Sequence, residues 1–167
     1  MPNRIIAIFI FITLLTAGTL SLAAAGLEIQ AVRQGGGEGK TRIVIDFNKK
    51  TTFDAFLLDA PPRLAVDVPA ATWKTYKNRA LQDDILKSYC CGLLKDKGKT
   101  RIIFDLRKPA VIDSAFVLPK TTMAKDRLVI DLKPASAALF TARSQDKTQN
   151  KIPAKSSAVP APPKVYT

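Results

Sequence analysis

The sequence predicts an all-β fold: a sandwich of two four-stranded sheets built from a duplicated unit, with a signal peptide before it and a disordered linker after it. Three observations predict this. Short β-branched runs alternate in polarity and are bounded by Gly, Pro, Asn and Asp. The same series of runs occurs twice in the same order. Little helical periodicity appears between the two ends of the chain.

The elements follow from the N-terminus. Residues 1–4 carry one cation, residues 5–22 form an uncharged, mostly apolar run, and Ala23-Ala24-Ala25 offers the small residues a signal peptidase reads. The run is close to the ~20 residues of a membrane span, so an uncleaved anchor is the rival reading. Thr13, Thr16, Gly18, Thr19 and Ser21 dilute its apolar character. No Arg-Arg pair and no cysteine at the cleavage point redirect it to the twin-arginine or lipoprotein routes. Residues 1–25 are therefore expected to be a Sec-type signal peptide, and the chain periplasmic. Membrane contact is expected only through this segment, if it stays uncleaved.

Residues 26–135 have the length of one domain. The segment 27–32 alternates as a strand should, and Gly35-Gly36-Gly37 reads as a flexible hairpin loop. It is not a phosphate cradle, because no helix follows it. Residues 40–48 (KTRIVIDFN) match residues 99–107 (KTRIIFDLR), and 51–58 (TTFDAFLL) match 110–118 (AVIDSAFVL). Residues 63–68 (RLAVDV) match 127–132 (RLVIDL), and 85–90 takes the place of 27–32 in the second unit. The units span about 27–68 and 85–132, with four strands each. Residues 80–87 could hold one turn of helix between them.

Strand alternation assigns the faces. Ile43, Ile45, Phe47, Leu64, Val66, Val68, Ile102, Phe104, Leu106, Leu128, Ile130 and Leu132 form the expected core, with the two halves folded back to back. Phe53, Phe56 and Phe116 are expected to join them. The linker 136–167 is rich in Ala, Ser, Lys and Pro, and Pro153, Pro160, Pro162 and Pro163 punctuate it. Such a segment buries too little apolar surface to offset the entropy of ordering.

An Arg-apolar-x-apolar-Asp motif recurs on the outward face at Arg42/Asp46, Arg63/Asp67, Arg101/Asp105 and Arg127/Asp131. Antiparallel neighbours would set the Arg of one strand against the Asp of the next. One reading is a soluble, aggregation-resistant sheet face. The other is a polar platform whose guanidinium forks grip carboxylates. Trp73 and Tyr76, in the connector between units, either stack on sugar or cover the open end of the sandwich. Cys90 and Cys91 are adjacent, so strand geometry points them to opposite faces as free thiols rather than a disulfide.

Composition excludes several functions. The chain has no histidine, which removes the commonest zinc ligands and the base of Ser-His-Asp chemistry. No catalytic residue, metal site or cofactor is assigned. The formal net charge of +12 points to an anionic partner, and the export signal disfavours nucleic acid.

The motifs KTRIVIDF, PPRLAVDVP and KTRIIFDLRKPAVIDSAFVLP…RLVIDL resemble the AMIN domain found before the catalytic domain of bacterial N-acetylmuramoyl-L-alanine amidases. The resemblance covers about residues 27–133. It implies two packed sheets, a periplasmic location and a non-catalytic role in localising cell-wall proteins to peptidoglycan, notably at the division site. Peptidoglycan, and divisome or other envelope proteins, are the implied partners. No position matches the zinc ligands of the amidase domain, which is expected to be absent from this chain. A second implied context is a protein-docking module of an envelope secretion or pilus-assembly (secretin) machine.

Overall fold

The computed structural model describes residues 26–37, 39–119, 125–146 and 152–153. The expected signal peptide and most of the expected linker lie outside the described residues.

β1 (Leu27–Gly37) and β2 (Lys40–Phe47) form a hairpin whose turn contains Gly39 at φ +75°. β3 (Asp54–Leu58) and β4 (Arg63–Pro69) complete the first unit. Two short strands follow, β5 (Ala71–Trp73) and β6 (Asn78–Ala80). The second unit supplies β7 (Leu86–Leu94), β8 (Lys99–Leu106), β9 (Ala110–Leu118) and β10 (Asp126–Pro134). Helix α1 (Ala137–Gln145) and β11 (Ile152–Pro153) end the described chain. Every long strand stands where the repeat places one.

The sheets are larger than four strands and differently composed. One has the order β5-β1-β2-β10-β9 and the other β11-β3-β4-β8-β7-β6. The extra strands come from the connector between units, which lays β5 parallel to β1 and β6 against β7, and from β11 on the edge of β3. The halves do not fold back to back as separate sheets. Each sheet takes its first pair of strands from one copy and its second pair from the other. At the centre of both, the KTRI strand of one copy lies antiparallel to the RL-x-x-D strand of the other, as β2–β10 and β4–β8. Exchanging the copies maps β1-β2-β10-β9 onto β7-β8-β4-β3. A period-2 pattern specifies which face a residue occupies, not which strand lies beside it.

All twelve residues of the expected core are buried, with Leu106 the most exposed at 8%. They form one cluster that also takes in Ile29, Leu86, Tyr89 and Phe140. Each large side chain removed from water contributes roughly 1.5–3 kcal/mol, so the alternation of these strands dominates the stability of the fold.

Four expectations change. Phe53 is buried, but it precedes β3, while Phe56 and Phe116 are only half-buried. The register explains this: Phe56 lies opposite Ala65 and Phe116 opposite Val129, both on the outward side of their sheets. Residues 81–85 form no helix. Their bend is tied by Asp83, whose Oδ1 accepts from the backbone N–H of Ile85 (2.8 Å) and Leu86 (2.9 Å) and from Thr41 Oγ1 (2.8 Å). Gly35, Gly36 and Gly37 are not a loop; they pair in β1 with Arg42, Thr41 and Lys40.

The fourth change is at the start of the expected linker, where α1 is helical. Ser136 caps it by accepting from the N–H of Leu139 at 3.2 Å. Phe140, 1% exposed, anchors it in the core beside β3 and β9. One buried aromatic on a short capped helix suffices where the composition gives no amphipathic signal.

Candidate functional site: two charged sheet faces

The outward charges gather around the two central strand pairs. On the five-stranded sheet, Arg42 of β2 donates through Nε to Asp131 Oδ1 (2.6 Å) and through Nη2 to Oδ2 (2.8 Å). On the six-stranded sheet, the equivalent Arg101 makes the same fork to Asp67, at 2.6 and 2.8 Å. The expected cross-strand pairing of Arg with Asp is present in both. Lys40 reaches Asp113 at 3.0 Å and the equivalent Lys99 reaches Asp54 at 2.9 Å. Duplication has preserved the contacts as well as the sequence.

The remaining motif residues are not equivalent. Arg127 lies 3.7 Å from Asp46, whose carboxylate is already taken by Arg33 Nη2 at 2.7 and 2.9 Å. Arg63 stands opposite Asp105 in register, yet its buried Nε has no hydrogen-bond partner. Asp105 accepts instead from Ser88 Oγ at 2.8 Å. Asp46 and Asp67, expected on an exposed face, are buried beneath the guanidinium groups that bind them.

The two faces differ in how much charge they offer to solvent. The Arg42 side chain is 55% exposed, whereas Arg101 is 28% exposed. Arg101 also lies over the Phe56 ring, 5.0 Å from its centroid, which holds it to the sheet. The network on the five-stranded sheet joins Arg33, Lys40, Arg42, Arg127 and Lys133 to only three carboxylates, Asp46, Asp113 and Asp131. On the six-stranded sheet Arg63, Lys99 and Arg101 face an equal number, Asp54, Asp67 and Asp105. One face has an excess of cations; the other is balanced.

Protonation behaviour agrees with this geometry. The hydrogen bonds from Arg42 hold the Asp131 carboxyl below its ordinary value, and those from Lys133 and Lys40 do the same for Asp113. Both stay ionised across the neutral range.

Beside Arg42 lies an open groove of about 510 Å³, lined by Arg33, Gly35, Gly37, Lys40, Val44 and Asp131 among others. Sequence reasoning missed Arg33, Lys40 and the glycines as site residues. Lys40 repeats as Lys99 in the sequence, but that Gly35 and Gly92 stand at equivalent places, opposite Arg42 and Arg101, shows only in the strand register.

Trp73 and Tyr76 are not brought into these faces. Trp73 is half-buried in β5 and packs against the core, while Tyr76 is exposed and its carbonyl accepts from the Tyr89 hydroxyl at 3.0 Å. Cys90 and Cys91 are free thiols in β7. Burial pushes the Cys91 thiol up to about 11. Among the described residues, no group of His, Cys, Asp and Glu could hold a metal ion, and no helix is long and apolar enough to cross a membrane.

Fold and faces together define a class: a duplicated sandwich with interlocked halves and charged outer sheets. Residues 28–122 match the AMIN domain, and the chain belongs to that family. It is also similar to the N-acetylmuramoyl-L-alanine amidase AmiC of Escherichia coli O6:H1, with 33% identity over 129 residues. That similarity covers 74% of this chain and 30% of the relative, so the chain spans less than a third of the amidase's length.

Proposed function

We propose that this chain is the exported, non-catalytic module that carries a cell-wall amidase to peptidoglycan in the periplasm, with septal targeting as its cellular outcome. The observation that carries the reading is the excess of half-exposed cations on the five-stranded sheet, in a family member similar to the N-terminal part of an amidase by name. Peptidoglycan stems present carboxylates, and guanidinium forks bind carboxylates with two aligned hydrogen bonds. Each contact is weak, but a repeating polymer multiplies it. The motif residues Arg42, Asp46, Arg127 and Asp131, with Arg33 and Lys40, would form the platform. Arg63, Asp67, Arg101 and Asp105 would chiefly hold the opposite sheet together. Trp73 and Tyr76 would contribute by stacking at the end of the sandwich.

Sedimentation with purified sacculi tests the reading. The chain should pellet at low ionic strength and be released as salt screens the contacts. Retention in the supernatant at low salt would reject wall binding and favour docking to an envelope protein.

A further inference from the structure

Gly35 and Gly37 have no local reason to be glycine. Neither adopts a positive φ, and a Cβ built on either meets nothing within 4 Å. Gly36 between them is different, because its Cβ would run into the carbonyl oxygen of Lys40. Both open positions lie on the floor of the groove beside Arg42. There the missing side chains leave bare backbone next to Arg33, Lys40 and Arg42. Glycine retained in a strand despite its entropic cost often marks a place where another chain approaches closely.

We propose that this groove holds the stem peptide of peptidoglycan, laid extended along the glycine end of β1, with a free stem carboxylate on Arg42. The inference rests on the wall-binding reading and narrows it to one face and one chemical group. Arg42 spends two of its N–H donors on Asp131, so donors remain in its five-donor fork for a second carboxylate. Asp131 orients the fork, Arg33 and Lys40 add positive charge, and Val44 supplies an apolar floor. The equivalent place on the other sheet has its glycine too, at Gly92, where a Cβ would likewise meet open space. Its Arg101, however, is drawn over Phe56 and its charges are balanced. Duplication supplied two sites, and one of them has become structural.

The test fills each glycine position in the purified chain. Gly35→Val should lower the fraction pelleted with sacculi at least tenfold, and the smaller Gly35→Ser should lower it partly. Gly92→Val should stay within twofold of the parent, all variants being compared at matched folded fraction by circular dichroism. In parallel, backbone amide shifts are followed while acetyl-Lys-D-Ala-D-Ala is added as the free acid or as the C-terminal amide. The free acid should move residues 33–42 and the amide should not. Unchanged pelleting of both Gly35 variants, equal loss in Gly92→Val, or equal responses to acid and amide would overturn the groove assignment. Failure of the parent chain to pellet would overturn the wall-binding reading instead, and the peptide titration would still decide the groove.

Discussion

The two outer faces descend from the same duplicated residues, yet they use them differently. On the six-stranded sheet, Arg101 is pinned between Asp67 and Phe56 and mostly covered, and three cations face three carboxylates. On the five-stranded sheet, Arg42 makes the same fork but stays half-exposed beside bare glycine backbone, and cations outnumber carboxylates. Identical hydrogen bonds therefore serve two ends. Where neighbours desolvate the pair, it holds strands in register; where they leave it open, it presents charge. What surrounds the motif, rather than the motif, separates the roles.

The comparison is bounded by the core, which should be symmetric where the faces are not. Ile43 and Ile102 are equivalent and fully enclosed. Ile43→Ala and Ile102→Ala should each cost about 2–5 kcal/mol in urea unfolding, by lost transfer energy plus a cavity, and agree with one another within about 1 kcal/mol. A large inequality would show that the interlocked halves do not share one core.

The faces come next. Arg101→Ala strands the Asp67 carboxylate, which is only 7% exposed, and should cost roughly 2–3 kcal/mol. Arg42→Ala leaves Asp131 with solvent and the Ser114 hydroxyl at 2.8 Å. That exposed pair should cost about 0.5–1 kcal/mol. Equal costs in the same unfolding assay would erase the distinction between the sheets.

Acid gives a smaller, directional effect. The Asp131 carboxyl is held below its ordinary value, chiefly by Arg42. Its contribution is present above the unfolded carboxylate range near ~4 and fades as pH falls through the depressed value. The stability lead of the parent over Asp131→Asn should therefore shrink from pH 6 towards pH 2. A lead that grew on acidification would contradict the assignment. The mildest probe is the thiol pair: at pH 8 an alkylating reagent should label exposed Cys90 at least tenfold faster than Cys91, whose thiol burial raises to about 11. Mass spectrometry of the labelled peptides reads the ratio, and comparable rates would place Cys91 on the surface.

Much of this fold was legible in the sequence because its strands obey a strict period of two. Ile43, Ile45, Phe47, Leu128, Ile130 and Leu132 could be assigned to the interior residue by residue, and the Arg–Asp forks followed from the motif once antiparallel neighbours were assumed. Which strands neighbour one another was not legible, because alternation is indifferent to the partner. The short strands β5 and β6 carry too few residues to show alternation, and α1 depends on the single anchor Phe140. The groove was hidden for a related reason. Gly35-Gly36-Gly37 looks like a loop until its ladder with residues 40–42 is seen. The difference between Arg42 and Arg101 lies in Arg33 and in the stacking of Arg101 over Phe56, neither of which the repeated motif encodes.

Sedimentation of Arg42→Ala and Arg101→Ala with sacculi, each corrected for its folded fraction, tests the division of labour most directly. Arg42→Ala should lose at least tenfold in the pelleted fraction while remaining folded, and Arg101→Ala should pellet like the parent despite its greater loss of stability. Full pelleting of Arg42→Ala, or loss confined to Arg101→Ala, would contradict a binding face on the five-stranded sheet.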